Sequence, residues 1–559
     1  MAYFAVRVVK GFAFISLVVS MMNCRPIEQV AHMKIRADQL DSTYDYIIVG
    51  GGTSGLTVAD RLTEDGTTDM YNYTSIPQPG LGNQTAVLRG GALVGGGSAV
   101  NSMFFDRGSA EDYNNWEKLG NPGWSWNGIL PYFQKASVTF TPPSLELQTR
   151  YNITYNMNLQ WKGWKSFGIP VQEEGANGAA FGLIWVPASL DPKLQTRSYS
   201  RTAHYKPVLR RSNYHLLTGY HANSIIFSNN LTAEGIQIQP RYSDTSIPEV
   251  STVLASNEWR GPMELLQKAG IDINVDLPGV GQNLQDHSPI SVVTLDQKPT
   301  HDILASNATF LAESLLEYHE NKTGPITGAD GDTGVFLPLG TVTNQFQTLI
   351  DEARSQVAQQ YLPTNYEPAV IKGFEAQKKI LLESYASNST AVIELPLTGK
   401  SGSGNILLKP LSRGSMNIDP TSPSGGPVID FGVLTNPVDL KINLAAFKLS
   451  RQVYSSSHMA DLGPVETNPG TDVVTDDTIT AWIHSTLLPS SAHPCGTAPM
   501  MPLEIGGVVG PDFLVHGVQG LSVVDASIMP LIPGTHLSAT VYAIAEKAAD
   551  VIKVRAGET

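Results

Sequence analysis

At 559 residues, the chain exceeds what one hydrophobic core supports, since single cores stop growing at roughly 250–300 residues, so more than one structural unit is expected. Its 37 basic and 51 acidic side chains leave a net charge of −14. That balance repels phosphate backbones and acidic bilayer surfaces and argues against nucleic acid as a partner. The only cysteines are Cys24 and Cys495, which excludes a structural zinc site built on thiolates.

In chain order, Arg7 and Lys10 precede an apolar run from Gly11 to Met22, followed by polar residues and Pro26. A basic start and a hydrophobic run too short to span a bilayer predict a signal peptide over residues 1–24, export through the secretory pathway and no stable membrane anchor. Cys24 would leave with that peptide, so no internal disulfide is expected. Asn-x-Ser/Thr sequons at Asn72, Asn83, Asn152, Asn230, Asn307, Asn321 and Asn388 suit a secreted glycoprotein.

The run Tyr44-Asp-Tyr-Ile-Ile-Val-Gly50 has the pattern of a buried parallel strand. Gly50-Gly51-Gly52-Thr53-Ser54-Gly55 follows it, matching Gly-x-Gly-x-x-Gly at the mouth of a helix whose apolar face is Leu56, Val58, Ala59 and Leu62. In that context Gly50 permits a tight turn, Gly52 lets backbone approach a pyrophosphate, and Gly55 allows close helix–strand packing. The turn alone does not separate NAD, NADP and FAD. Further along, Tyr214–Thr218 and Gly235–Gln239 alternate as strands, while Ala305–Asn321, Val370–Tyr385 and Ala539–Val554 have helical periodicity. No His-Glu-x-x-His occurs, and His204, His215 and His221 fall at strand and loop positions, so no bound metal is expected.

A series of segments then narrows the reading. Gly90–Met103 reads Gly-Gly-Ala-Leu-Val-Gly-Gly-Gly-Ser-Ala-Val-Asn-Ser-Met and continues Phe-Phe-Asp-Arg-Gly; Leu277–His287 reads Leu-Pro-Gly-Val-Gly-Gln-Asn-Leu-Gln-Asp-His. Near the end stand Ala492–Met501, Val523–Ser527 and Gly534–Ala543. In this order, from Tyr44 onward, they resemble the glucose–methanol–choline (GMC) oxidoreductase family, of the fungal aryl-alcohol oxidase and glucose oxidase kind. The resemblance implies an α/β (mixed α+β) fold, with a Rossmann-type FAD-binding domain and a substrate domain built on an antiparallel sheet and helices. By that resemblance the FAD-binding domain is discontinuous, over 44–135, 205–290 and 485–559, with the substrate-binding domain over 136–204 and 291–484. It further implies FAD as cofactor, held at Gly50, Gly52, Thr53, Ser54, Gly55, Gly96, Gly97, Ser98, Asn101, Asp525 and Ala526.

Alcohol oxidation removes a hydroxyl proton together with a hydride, so a base must reach the substrate oxygen. The resemblance assigns His493 as that base and His536 as the partner that orients the hydroxyl. The substrate would be an aryl, allylic, sugar or secondary-metabolite alcohol, with oxygen or a quinone as electron acceptor. Two alternatives stay open: a flavin-retaining non-redox lyase or cyclase, and a non-catalytic secreted glycoprotein on a decayed scaffold. Phe104, Phe105 and Trp482 are candidate pocket walls that suit a core equally well. Cys495, near His493 in sequence, reads as a small packing residue.

Two departures from the family pattern stand out. After the first helix the chain reads Thr-Glu-Asp-Gly-Thr-Thr-Asp-Met-Tyr-Asn-Tyr-Thr, where a second strand ending in a ribose-binding acid is expected. Val253-Leu254-Ala255-Ser256 runs into Asn257-Glu258-Trp259-Arg260, where the family has its second signature. Intact family sequence flanks the lost strand on both sides, as a misplaced exon boundary or splice product would leave it.

Overall fold

The computed structural model describes residues 33–34, 44–60, 70–136, 152–172, 174–208, 211, 215–240, 251–253, 259–271, 273–295, 302–327, 333–397, 400, 402–423 and 425–557. The segment expected as a signal peptide, residues 1–24, lies outside them. Among the described residues no helix is long and apolar enough to cross a membrane.

Four helices pack together in the main apolar core: α1 (Thr53–Asp60), α2 (Ala110–Lys118), α3 (Trp126–Ala136) and α4 (Leu537–Arg555). A capping box starts α2: the Ser109 backbone N–H donates to Asp112 Oδ2 at 2.8 Å, and acids in the first turn oppose the positive end of the helix dipole. Its inner face buries Tyr113 and Trp116 completely, and Trp116 Nε1 donates to Leu531 O at 2.8 Å, so the indole packs without stranding its polar atom. The alanine-rich face of α4 lets it lie close against α1 and α3. Lys135 of α3 ties the pair by reaching Glu546 and Asp550 of α4.

A six-stranded antiparallel sheet forms the second part. Its strands are β1 (Gly182–Trp185), β2 (Ser288–Leu295), β3 (Thr333–Leu337), β4 (Ile393–Leu397), β5 (Gly402–Leu407) and β6 (Val465–Asn468), in the spatial order β6-β2-β5-β4-β3-β1. This matches the antiparallel sheet expected for a substrate domain. β4 is buried along nearly its whole length, yet carries Glu394, opposite Phe336 on one side and Ile406 on the other. A buried carboxylate there requires a partner of opposite charge or a proton.

The expected helices are present as Pro368–Ala386 and α4, and the 305–321 stretch as two pieces. Asn307 breaks that stretch: it ends Ile303–Ser306, and its side chain accepts from Phe310 N to start Ala308–Asn321. The 235–239 strand lies within Ala233–Pro240, whereas only Leu216–Leu217 of the 214–218 stretch is strand. Tyr44–Gly50 differs from expectation. Among the described residues it pairs with no strand, and Ile47 and Val49 are 41% and 59% exposed. The physical reason is visible on the far side of α1: Met70–Thr74 pairs antiparallel with Val87–Gly91, so these residues make a hairpin instead of the parallel neighbour that a buried strand needs.

Candidate active site

The glycine turn keeps the geometry its sequence implies. Gly50 has φ +109°, which favours glycine, and a Cβ on Gly55 would lie 1.9 Å from Gly50 O, so α1 starts in contact with the preceding segment. The Gly95–Asn101 loop docks on this turn: Gly95 N–H donates to Gly51 O at 2.9 Å, and a Cβ on Gly96 would lie 2.7 Å from Gly52 Cα. Gly51, Gly52 and Gly97 face open space, and Ser54 Oγ beside them is buried without a hydrogen-bond partner. Backbone approachable without side-chain obstruction, at the start of a helix and beside an unpartnered hydroxyl, is a cradle for an anion.

The remaining predicted cofactor residues hold the surrounding backbone. Ser98 Oγ donates to Gly95 O at 2.5 Å, and Asn101 Oδ1 accepts from Arg197 Nη1 at 2.7 Å. Asp525 Oδ1 accepts from Ser527 N at 2.9 Å, and Ala526 O accepts from Gly496 N at 3.2 Å. The segment after Asp525 is thereby fastened alongside Cys495–Met500, close in sequence to His493. Cys495 itself is buried, with its backbone paired to Gln285.

The structure brings His493 and His536 together, their rings perpendicular with centroids 5.3 Å apart. It also surrounds them with groups that sequence reasoning did not single out. His536 Nδ1 lies 3.1 and 3.2 Å from the two carboxylate oxygens of Asp106, to which Thr535 Oγ1 also donates at 2.7 Å. Its Nε2 is 3.6 Å from Glu394 Oε1, a charge contact too long for a hydrogen bond. Phe104 stacks on the ring at 4.1 Å. Of the aromatic candidates, Phe104 therefore lies at the site, while Phe105 packs on Tyr542 and Trp482 on Phe447.

The two imidazoles carry different charges. Burial by itself disfavours a cation at His536, but Glu394 and Asp106 outweigh it and raise the pKa to about 9. His536 is thus an imidazolium at neutral pH. His493 has no such carboxylate at its ring; burial, followed by the charge of His536, pushes its pKa down to about 3 and keeps it neutral. Glu394 is itself pushed up to about 7 by burial, against the pull of His536. The His493 loop hangs on Asp286, whose carboxylate accepts from His493 N at 3.1 Å, Ser491 N at 3.2 Å and Ser490 Oγ at 2.5 Å. On its other side His493 Nδ1 is 3.0 Å from His287 Nδ1.

Asp106, Glu394 and His287 each left a trace in the sequence. Asp106 is the acid in Phe-Phe-Asp-Arg-Gly, Glu394 is the single charge in Ala-Val-Ile-Glu-Leu-Pro-Leu, and His287 closes the Leu277–His287 segment. A charged residue inside an apolar run is the signal that would have found Glu394, because such a group is buried with a partner.

Sequence profiles of the GMC oxidoreductase family match residues 44–289 and 410–545. The chain belongs to the GMC oxidoreductase family. Family membership makes it an FAD-dependent oxidoreductase with the family's mixed helices and antiparallel sheets. Among its GMC relatives, dehydrogenase xptC of Emericella nidulans is 33% identical over 92% of this chain and 93% of its own length. An FAD-dependent oxidoreductase from Chaetomium thermophilum is 34% identical with a TM-score of 0.86, covering 92% of this chain and 100% of that one. A fungal aryl-alcohol oxidase is 33% identical with a TM-score of 0.85, covering 93% and 100%. The anion cradle at Gly50–Gly55 fits the pyrophosphate of the GMC cofactor. Among the described residues no group of three or more His, Cys, Asp or Glu is placed to hold a metal.

Asn72, Asn83, Asn230, Asn307, Asn321 and Asn388 are exposed, as acceptors of a glycan must be; the Asn152 side chain lies outside the described residues.

Proposed function

We propose that the protein oxidises a primary or secondary alcohol to the carbonyl, with His493 as the base. The observation that carries this reading is the charge asymmetry of the pair: a neutral imidazole within ring contact of an imidazolium. The alcohol oxygen sits between them. His536 donates its Nε2 proton in a hydrogen bond to the hydroxyl oxygen, which stabilises negative charge as the hydroxyl proton leaves. His493 receives that proton on Nε2, the ring nitrogen that His287 does not engage. Gly50–Gly55 and Gly96–Asn101, with Asp525 and Ala526, would hold FAD, which would supply the acceptor for the hydride of the carbinol carbon. Asp106 and Glu394 keep His536 charged, and the ring of Phe104 limits water at the site.

The aryl-alcohol oxidase among the similar structures supports an aromatic alcohol as substrate. Oxygen or a quinone would serve as the final electron acceptor. We place the enzyme in the secretory pathway on the strength of its N-terminal pattern and its exposed sequons.

The test is anaerobic mixing of the secreted, yellow protein with a panel of benzylic and sugar alcohols, followed by loss of the oxidised-flavin absorption. His493→Ala should retain flavin and slow its reduction by about 10²–10⁴-fold. Flavin that no alcohol reduces overturns the redox reading in favour of a lyase or cyclase. Folded protein devoid of flavin favours the non-catalytic scaffold.

A further inference from the structure

The Leu277–His287 segment ends in a histidine that the reaction described above leaves unused. His287 is fully buried at the start of β2, and its Nδ1 lies 3.0 Å from Nδ1 of His493, with the two rings perpendicular. The contact is held by backbone on both sides. Ser491 N–H donates to His287 O at 2.8 Å, while Gln285 and Cys495 exchange hydrogen bonds of 3.1 and 3.0 Å. The two histidines therefore face each other across a short antiparallel ladder that fixes their backbone register.

Two imidazole nitrogens at that distance form a hydrogen bond only if one carries a proton and the other a lone pair. For His493 the choice decides its chemistry. A neutral imidazole has one N–H; if it sits on Nε2, no lone pair remains for the substrate hydroxyl, and if it sits on Nδ1, Nε2 is the basic atom.

We propose that His287 is a positioning residue that accepts the Nδ1–H of His493 and so holds the base in the tautomer with a free lone pair on Nε2. This rests on the reading of His493 as proton acceptor. His287 suits the role because burial keeps it neutral, so it has one proton and one lone pair to place. Its Nε2 finds no partner at ordinary hydrogen-bond geometry, but the Leu408 backbone favours a proton on this ring. A proton on Nε2 leaves Nδ1 as the acceptor. When His493 takes the substrate proton, the same lone pair steadies the imidazolium, and the neutral His287 adds no charge of its own. The proton of the broken hydroxyl O–H bond goes to His493 Nε2, while the electron pair of the carbinol C–H bond leaves with the hydride of the oxidation.

The tautomer is read directly by ¹⁵N NMR of the flavin-loaded native protein with labelled histidine, assigned by difference from His493→Ala. The expected spectrum shows His493 with a protonated Nδ1 and an unprotonated Nε2. In anaerobic flavin reduction by a benzylic alcohol, His287→Phe keeps the ring but removes the acceptor, and should lower the rate by about 10²-fold, as loss of a positioned base does. Flavin content and the alcohol concentration for half-maximal rate should stay as in the native enzyme. His287→Gln supplies a carbonyl acceptor and should recover the rate to within about tenfold. A proton on Nε2 of His493 in the native spectrum, or a His287→Phe enzyme reduced at the native rate, overturns the proposal. A native rate in His493→Ala overturns the base assignment itself, whichever way His287 behaves.

Discussion

Replacing Asp106 by asparagine preserves the shape of a buried side chain while removing the negative charge it presents to His536 Nδ1 at 3.1 and 3.2 Å. In the native enzyme burial works against the imidazolium, yet Glu394 and Asp106 together raise His536 from 6.5 to about 9. That rise corresponds to roughly 3 kcal/mol in favour of the charged ring. Glu394, at about 7, is only partly ionised in neutral solution. Asp106, which His536 holds below the ordinary carboxylate range against the effect of burial, is the constant source of charge. Without it His536 keeps only the pull of Glu394, and its pKa falls from about 9. The sign follows: Nε2–H donation to the substrate oxygen persists below the pKa of His536 and is lost as pH rises through it. Native kcat/KM should therefore hold up to a pH of about 9 and fall above it, whereas the alkaline fall of Asp106→Asn should lie at least about one pH unit lower. At pH 8 the variant should be slower by about 10²-fold, the cost of losing one donor to a developing oxyanion. The assay is the pH dependence of kcat/KM with a benzylic alcohol on flavin-replete enzyme. An alkaline limb at the same pH in both proteins would refute the assignment of His536 as the charged donor.

Two further changes test the scaffold. Gly55→Ala places a Cβ 1.9 Å from Gly50 O, a backbone clash that should cost about 1–3 kcal/mol and lower the flavin-to-protein absorbance ratio; native flavin content and melting temperature would contradict the cradle. Lys409→Met strands Asp112, whose ion pair with Lys409 is almost completely buried. The variant should be destabilised by about 3–5 kcal/mol, seen as a lower thermal midpoint that Asp112→Asn partly restores; an unchanged midpoint would show that the pair contributes nothing.

Several features were legible because they are local. The glycine turn needs only Gly50–Gly55 and the helix after them, and α4 repeats its apolar positions at helical spacing, so both could be read from neighbouring residues. The antiparallel sheet was anticipated through resemblance, since strands this buried do not reveal their partners by alternation. Tyr44–Gly50 shows the limit of local pattern. Its apolar run reads as a buried strand, but burial depends on a neighbour, and the residues that follow α1 form a hairpin elsewhere. Asp106 lies 430 positions from His536, and His287 lies 206 from His493. No periodicity connects such distant groups.

From sequence alone came the family, the flavin cofactor and the two histidines, because each rests on residue types in a fixed order along the chain. Only the tertiary structure decided what those histidines are. Side by side, they are shifted in opposite directions, since Glu394 and Asp106 converge on His536, whereas at His493 burial and the charge of His536 outweigh the pull of Asp106. A charge state is set by burial and by opposing charges in space, and chain order records neither.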